Sequence, residues 1–374
     1  MTIQSNSWTG AQFSMARFLI SLASLVLVYS KWGQITQNNI SIIINLIFLF
    51  SIILTGIGFK TKSSAVIACI FWTLIWFNYA NVHLITFLFG FTSFFYISSL
   101  EKNPLWSLDG QKLEIPNYTW SISNEKYHDL WKAFCGIIFL SATASILKLL
   151  FLKNTINQGI FDFGGLTQVP STILNLQLCL HVFEITLGFC GIYFGPKKNI
   201  WICLVLLLLT SFLFTSSSYY LFDLACILFA FNPSWLAVKA NISPELIFYD
   251  GECGLCHRWV KFVLSEDPYG ERFQFATLQS KAFERVSKDL SENVDSIVLT
   301  KTDGKSLIKS SAIVHILKSL GGLWLLTSWV LFLIPKFIRD FAYEIIAKIR
   351  YSLFKKPNDA CPLMPPELRR RFIV

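Results

Sequence analysis

A chain of 374 residues that is 53% hydrophobic, only 15% charged and carries a formal net charge of +9 is not one soluble globule. The positive balance and a mean hydropathy of +0.52 suit a lipid bilayer, and no basic motif interleaved with aromatics points to nucleic acid. Six of the nine cysteines (Cys69, Cys135, Cys179, Cys190, Cys203, Cys226) sit singly in apolar runs, where cysteine acts as a small hydrophobe, so a disulfide framework is not expected.

Charge divides the chain near residue 240. Residues 1–240 hold 13 of the 32 Lys/Arg and 8 of the 23 Asp/Glu, which leaves 19 and 15 for residues 241–374. The first part reads as an all-α polytopic membrane bundle and the second as a mostly soluble domain. A spanning helix needs roughly 20 apolar residues, and about eight candidates occur, at 14–30, 39–59, 64–81, 84–100, 131–151, 172–194, 199–217 and 219–236. The first has polar residues before it and no small-residue cleavage site after it, so it is expected to remain as a span. With eight spans, one side collects Arg17, Lys60, Lys62, Lys102, Lys112, Lys126, Lys132, Lys197, Lys198 and Lys239, and the other only Lys31, Lys148 and Lys153. Positive charge stays inside, which would put both termini in the cytoplasm.

Ionisable groups within spans are costly and mark functional candidates. His181 and Glu184 share a helix face, Asp223 lies in the last span and Lys148 near the end of the fifth. Hydrogen bonds that fix helix packing, a quinone-like lipid site and a metal site are the competing readings. One His-x-x-Glu supplies only two ligands, so no metal is expected. The stretches Ser7-Trp-Thr-Gly-Ala-Gln-Phe-Ser-Met-Ala-Arg17-Phe18, Ile146-Leu-Lys148-Leu-Leu-Phe151 through Gly159, and Phe222-Asp223 with Phe231-Asn-Pro-Ser-Trp235 resemble the HTTM membrane family, which includes vitamin K-dependent gamma-carboxylase. The resemblance implies that Lys148 occupies the position proposed as catalytic base there. Residues 209–216 lack the histidine of the carboxylase helix, so carboxylase activity is not expected.

After Pro244 the pattern changes to short strands alternating with helices. Leu246–Asp250 reads as a strand, Cys256–Leu264 as an amphipathic helix, Phe273–Leu278 as a strand and residues 281–290 as a helix. Ser296–Thr300 and Ser306–Lys309 flank the Thr302-Asp303-Gly304 turn as a hairpin, and a helix follows from Ser310. This β-α-β-α-β-β-α order is that of an α/β thioredoxin-like domain over residues 241–374.

The segment Ile247-Phe-Tyr-Asp250-Gly-Glu-Cys253-Gly-Leu-Cys256-His257 carries the chemistry. A CxxC at a helix start places the first sulfur near unsatisfied backbone N–H groups, whose partial positive charge favours a thiolate. Cys253 is expected to be the more exposed, attacking sulfur and Cys256 the resolving one. Asp250 is placed to exchange a proton with the pair. His257 is an auxiliary candidate, with a solvated first-turn side chain as its plainer reading, and Cys361 is either a third redox partner or a buried thiol. Cys-x-x-Cys-His also matches c-type haem attachment, and Cys253, Cys256, Cys361 and a histidine could be drawn together for zinc; the strand–helix context favours thiol chemistry over both.

The Asp250-x-x-Cys253-x-x-Cys256 pattern resembles the DCC family of thiol-disulfide oxidoreductases. So do Thr277-Leu-Gln-Ser280, Asp295-Ser-Ile-Val298, Lys309-Ser-Ser-Ala-Ile313, Leu320-Gly-Gly322, Ile334-Pro335 with Arg339-Asp340, Arg350-Tyr351, and Cys361-Pro with Arg371-Phe372. The resemblance implies a membrane-anchored oxidoreductase that acts on protein or small-molecule thiols and requires no cofactor. The alternatives are a non-catalytic thioredoxin-fold assembly module on a membrane platform, or a lipid- or quinone-modifying membrane enzyme. Thioredoxins place a cis-proline before the third strand, where this chain has Asp295-Ser296, and this favours the first alternative. The tail Leu323–Ile334 is 12 residues of apolar sequence, too short to span, followed by Lys336, Arg339, Lys348, Arg350, Lys355 and Lys356. It suits an anionic membrane surface or packing on the domain core.

Overall fold

The computed structural model describes residues 8–35, 39–78, 83–100, 120–157, 171–215, 217–238, 243–287, 296–353 and 366–373. Contacts divide the chain into two units. Met1–Asn6, Phe13–Glu114 and Ile122–Asn232 form the first; Ser7–Gln12, Ile115–Ser121 and Pro233–Val374 form the second.

The first unit is helical: α1 (Gly10–Ile35), α2 (Asn39–Ile57), α3 (Thr61–Asn78), α4 (Leu84–Ser98), α5 (Asn124–Asn157), α6 (Ser171–Phe194), α7 (Lys198–Thr215) and α8 (Ser218–Ile227). Its interior is aromatic. Trp72 stacks on Phe48 at 5.6 Å and tilts against Phe222 at 5.4 Å, and Phe89 meets Phe134 edge-on at 5.0 Å. Helices α5 and α6 approach closely because α6 presents glycine: a Cβ on Gly191 would stand 2.3 Å from Cys135 Sγ. Trp131 Nε1–H donates to the Gly191 carbonyl at 2.8 Å across that contact, a small-residue seam of the kind that joins helices in lipid.

The expectation of about eight spans is corrected. Among the described residues three helices are long and apolar enough to cross a membrane, Gly10–Gly33, Ile40–Ile57 and Asn124–Leu147. They become four if the bent pair Gly322–Leu333 and Lys336–Ile349 counts as one broken span. Thr61–Phe77, Leu84–Ser98, Leu178–Phe194, Lys198–Leu213 and Ser218–Ala230 are apolar but shorter, at 10–17 residues. At ~1.5 Å rise per residue these fall short of the ~30 Å hydrocarbon core. The ten-against-three count of cations rested on eight spans and does not transfer to three or four.

The second unit is built on a mixed four-stranded sheet in the order β2-β1-β3-β4, with β1 (Glu245–Tyr249), β2 (Phe273–Thr277), β3 (Val298–Thr300) and β4 (Ser306–Ile308). β1 runs parallel to β2 and antiparallel to β3, and β3 pairs antiparallel with β4. The parallel pair is connected through α9 (Gly254–Glu266). Both faces are covered, which is why β1 reads as an unbroken apolar run. Phe248, Ala276 and Val298 face one layer with Phe283 and Val286 of α10 (Lys281–Ser287). Ile247, Phe275 and Leu299 lie in register on the other face and are fully buried. Helices α11 (Lys309–Leu320), α12 (Gly322–Leu333) and α13 (Lys336–Leu353) follow, and α14 (Pro366–Arg369) leads to a last bridge in which Phe372 pairs parallel with Phe275.

The start of the tail packs on the domain core. Leu323 and Trp324 of α12 are buried, whereas Trp329, Val330, Phe332 and Leu333 at its far end, and Phe337 and Phe341 on α13, are exposed. Asp340 ties α13 to the start of α11. It accepts hydrogen bonds from the Ser310 N–H (3.3 Å) and the Ser310 hydroxyl, and pairs with Lys336 Nζ at 2.9 Å.

Candidate active site

The central strand β1 ends at Tyr249 and delivers Asp250 to a turn packed against the end of β2. Asp250 Oδ1 accepts the Glu252 N–H at 3.0 Å and Gln279 Nε2–H at 3.3 Å, while Gln279 Oε1 accepts the Gly251 N–H at 3.4 Å. A Cβ at Gly251 would come within 3.1 Å of Thr277 Cγ2, so the close approach of turn to strand favours glycine there. His257 Nε2 lies 2.9 Å from the Gly251 carbonyl. A carbonyl only accepts, so Nε2 carries the hydrogen. The His257 ring also meets Tyr249 edge-on at 5.7 Å. His257 is therefore half-buried and pins the turn, rather than being a solvated first-turn residue.

Cys253 is the N-cap of α9, with extended backbone (φ −98, ψ 118) and no side-chain capping bond. Its carbonyl accepts the His257 N–H at 3.1 Å and its own N–H donates to the Asp250 carbonyl at 3.3 Å. The first-turn amides of a helix have no intrahelical acceptor, so Cys253 sits at the positive end of α9. Cys253 is 1% exposed and Cys256 is 5% exposed. This corrects the expectation that Cys253 is the more exposed sulfur. The Asp250 and His257 bonds fold the turn back over the helix start, and the N-cap is covered instead of open.

Cys256 forms part of the wall of a cavity of about 420 Å³, together with Leu255 and Trp259 of α9, Ile297 before β3, and Arg339 and Tyr343 of α13. Ile297 is held by its N–H donating to Tyr343 Oη at 3.0 Å. Ser296, beside it, is buried and its hydroxyl has no hydrogen-bond partner in the structure. No cis peptide bond occurs among the described residues.

Residues 247–356 match the DCC1-like thiol-disulfide oxidoreductase family. A chloroplastic DCC family protein of Arabidopsis thaliana is 35% identical over 136 residues, which are 34% of this chain and 77% of that protein. The chain belongs to the DCC family. Similarity extends to YuxK, an uncharacterized protein of Bacillus subtilis, 36% identical over 137 residues, or 36% of this chain and 96% of the relative. No solved structure matches significantly.

The DCC match contains Asp250, Cys253, Cys256 and His257, which the fold brings to one strand–helix turn. Cys361 lies beyond the matched stretch and outside the described residues. Of the intramembrane candidates, the side chains of His181, Glu184 and Asp223 are described. His181 Nδ1 and Glu184 Oε2 pair with each other at 2.8 Å on half-exposed side chains of α6. Asp223 of α8 is buried and accepts the Thr86 hydroxyl of α4 at 3.0 Å. Lys148 falls on α5, and its side chain lies outside the described residues. Among the described residues no three His, Cys, Asp or Glu side chains converge to hold a metal ion.

Sequence reasoning missed Gln279, Trp259, Arg339 and Tyr343 as residues of this site. A signal for Arg339 and Tyr343 existed: Ile338/Arg339, Ala342/Tyr343 and Ile346/Ala347 recur at helical spacing, the stripe by which α13 covers the cavity.

Proposed function

We propose that this chain is a membrane-anchored thiol-disulfide oxidoreductase whose dithiol is Cys253 and Cys256. The observation that supports it is Cys253 at the N-cap of α9, one helical turn from Cys256, within a domain of the DCC family. The helix end supplies partial positive charge where a thiolate forms. Cys253 thiolate attacks a substrate disulfide and releases one thiol; Cys256 then attacks the mixed disulfide, releases the second thiol, and closes a Cys253–Cys256 disulfide. Asp250 and His257 act by holding the turn. Substrates are protein or small-molecule thiols and disulfides, and the chemistry itself needs no cofactor. The three long apolar helices supply the anchor, the HTTM-like reading of residues 1–240 belongs to the same proposal, and the DCC domain is placed on the cytoplasmic side. Protease protection of the C-terminal domain in oriented vesicles tests that placement.

In the purified full-length protein, Cys253→Ser abolishes reduction of insulin or of a dithiol reporter. A wild-type protein in which neither cysteine exchanges with a glutathione redox buffer overturns the reading.

The burial of both sulfurs, at 1% and 5% exposure, favours a second reading. In that reading the DCC domain binds a partner thiol without turnover. It is supported if Cys256→Ser traps a stable mixed disulfide while the wild type shows no turnover with any disulfide offered.

A further inference from the structure

We propose that the cavity beside Cys256 binds a lipid-soluble quinone, and that this quinone takes the electrons of the Cys253/Cys256 pair. The inference rests on the oxidoreductase reading and names the acceptor it leaves open.

The cavity, at about 420 Å³, lies in the range that holds a small ligand. Apart from Cys256, its walls are chiefly the side chains of Leu255, Trp259, Ile313, Val314 and Ile338. Two of the residues on this apolar wall carry a buried donor. Trp259 Nε1–H and Arg339 Nε–H are buried and have no hydrogen-bond partner in the structure. The hydroxyl groups on the wall are committed: Tyr343 Oη receives the Ile297 N–H, and Ser310 Oγ donates to Asp340. A buried donor without an acceptor costs free energy, which a ligand acceptor recovers.

An occupant is therefore apolar, bears acceptor oxygens and brings few donors. A peptide does not meet that description, because its own N–H groups would enter a space that offers them no acceptor. A quinone does: it is a flat apolar body with two carbonyl oxygens. The route of arrival is built into the same helices. Phe332, Leu333, Phe337 and Phe341 on the outer surfaces of α12 and α13 are exposed, beside Lys336 and Lys348, as suits an element lying in an anionic bilayer surface. A ligand dissolved in that bilayer enters between helices already in contact with it.

The transfer balances. Cys253 and Cys256 together lose two electrons and two protons and form one disulfide; the quinone gains both and becomes the quinol. The quinol carries two O–H donors into a cavity poor in acceptors, so the product is bound less well than the substrate and is released. The site is distinct from His181, Glu184 and Lys148, for which a quinone-like lipid is one of the competing sequence readings.

The test uses the full-length protein in phospholipid nanodiscs, with decylubiquinone as probe. Loss of the two thiols is followed by maleimide mass-tagging against a Cys253→Ser/Cys256→Ser baseline, and insulin reduction is measured in parallel. Decylubiquinone is expected to oxidise the pair at least tenfold faster in the wild type than in Ala347→Phe, which fills the cavity. Trp259→Phe, which keeps an aromatic ring and removes the donor, is expected to be slowed several-fold. Ala347→Phe should reduce insulin at the wild-type rate. Equal quinone-driven oxidation in wild type and Ala347→Phe, or none in a wild type that still reduces insulin, overturns the quinone site and leaves the oxidoreductase reading standing. Failure of both assays in the wild type, with an unreactive pair, overturns the oxidoreductase reading instead.

Discussion

Tyr343 of α13 receives the backbone N–H of Ile297 at 3.0 Å, across 46 residues of sequence. One phenol thus fixes the terminal helix to the segment that leads into β3. Ile297 is 6% exposed, and its amide has few alternatives if the phenol is lost. Tyr343→Phe should leave a buried donor unsatisfied, at a cost of about 1–3 kcal/mol. Hydrogen exchange followed by mass spectrometry should show the Ile297 amide exchanging at least fivefold faster. Unchanged protection at Ile297 would mean that another acceptor holds it.

What was legible in the sequence was local. The Asp250–Cys256 pattern, the apolar run of β1 and the turn at Thr302-Asp303-Gly304 are each decided by neighbours a few residues away, and the strands and helices fall close to where periodicity puts them. What was illegible depended on distant partners. The turn that carries Cys253 is held by Asp250 reaching Gln279, 29 positions on, and Ser310 is held by Asp340 from 30 positions on. Hydropathy also misled in a specific way. It counts apolar residues, whereas crossing a bilayer requires them in one continuous helix, and α4 stops after 15.

The C-terminal clamp is the second point at which a single change has a large effect. Arg371 Nη2 lies 2.7 Å from Asp267 Oδ2, and the guanidinium also donates to the Asp267 and Phe273 carbonyls. Burial raises the Asp267 carboxyl even against the attraction of Arg371, and burial lowers Arg371 even against Asp267. Desolvation outweighs pairing on both sides, so the pair adds little net stability relative to an apolar replacement of both. Removing one partner is different, because it strands the other. Arg371→Ala should cost about 3–5 kcal/mol in denaturant unfolding of the domain, and it should free the Phe372 strand from Phe275. A loss below ~1 kcal/mol would show that the clamp is dispensable.

Glu266 gives a pH dependence. Its carboxylate accepts the Trp324 indole N–H at 2.5 Å and the Thr9 hydroxyl at 2.5 Å, yet burial pushes its pKa from 4.5 up to about 7 despite those bonds. The folded protein therefore holds this proton more tightly than the unfolded chain. The linked stability is fully present below about pH 4.5 and is lost as pH rises through about 7. It amounts to on the order of 3 kcal/mol. Asp267 is raised as well, so the informative quantity is a difference between proteins. Glu266→Gln, neutral at every pH, should flatten the decline in unfolding temperature between pH 5 and 8. Parallel curves for mutant and wild type would show that Glu266 does not titrate in that window.

Asp250 separates two accounts of the redox turn. As a proton-transfer group it needs a carboxylate; as a positioning residue it needs only one oxygen that accepts from Glu252 N–H and Gln279 Nε2–H, at 3.0 and 3.3 Å. Asparagine keeps that oxygen and abolishes the acid. Alanine removes both. The geometry places the carboxylate in the turn's own hydrogen bonds, so Asp250→Asn should retain disulfide reduction within about threefold of wild type, with an unshifted pH profile. Asp250→Ala should lose tenfold or more, since Glu252 N–H and Gln279 are left without their acceptor and the turn carrying Cys253 loosens. Gln279→Leu, which removes the partner and leaves the carboxylate, should fall between the two. If Asp250→Asn is as slow as Asp250→Ala and its rate no longer varies with pH, the carboxylate moves a proton and the positioning account is wrong.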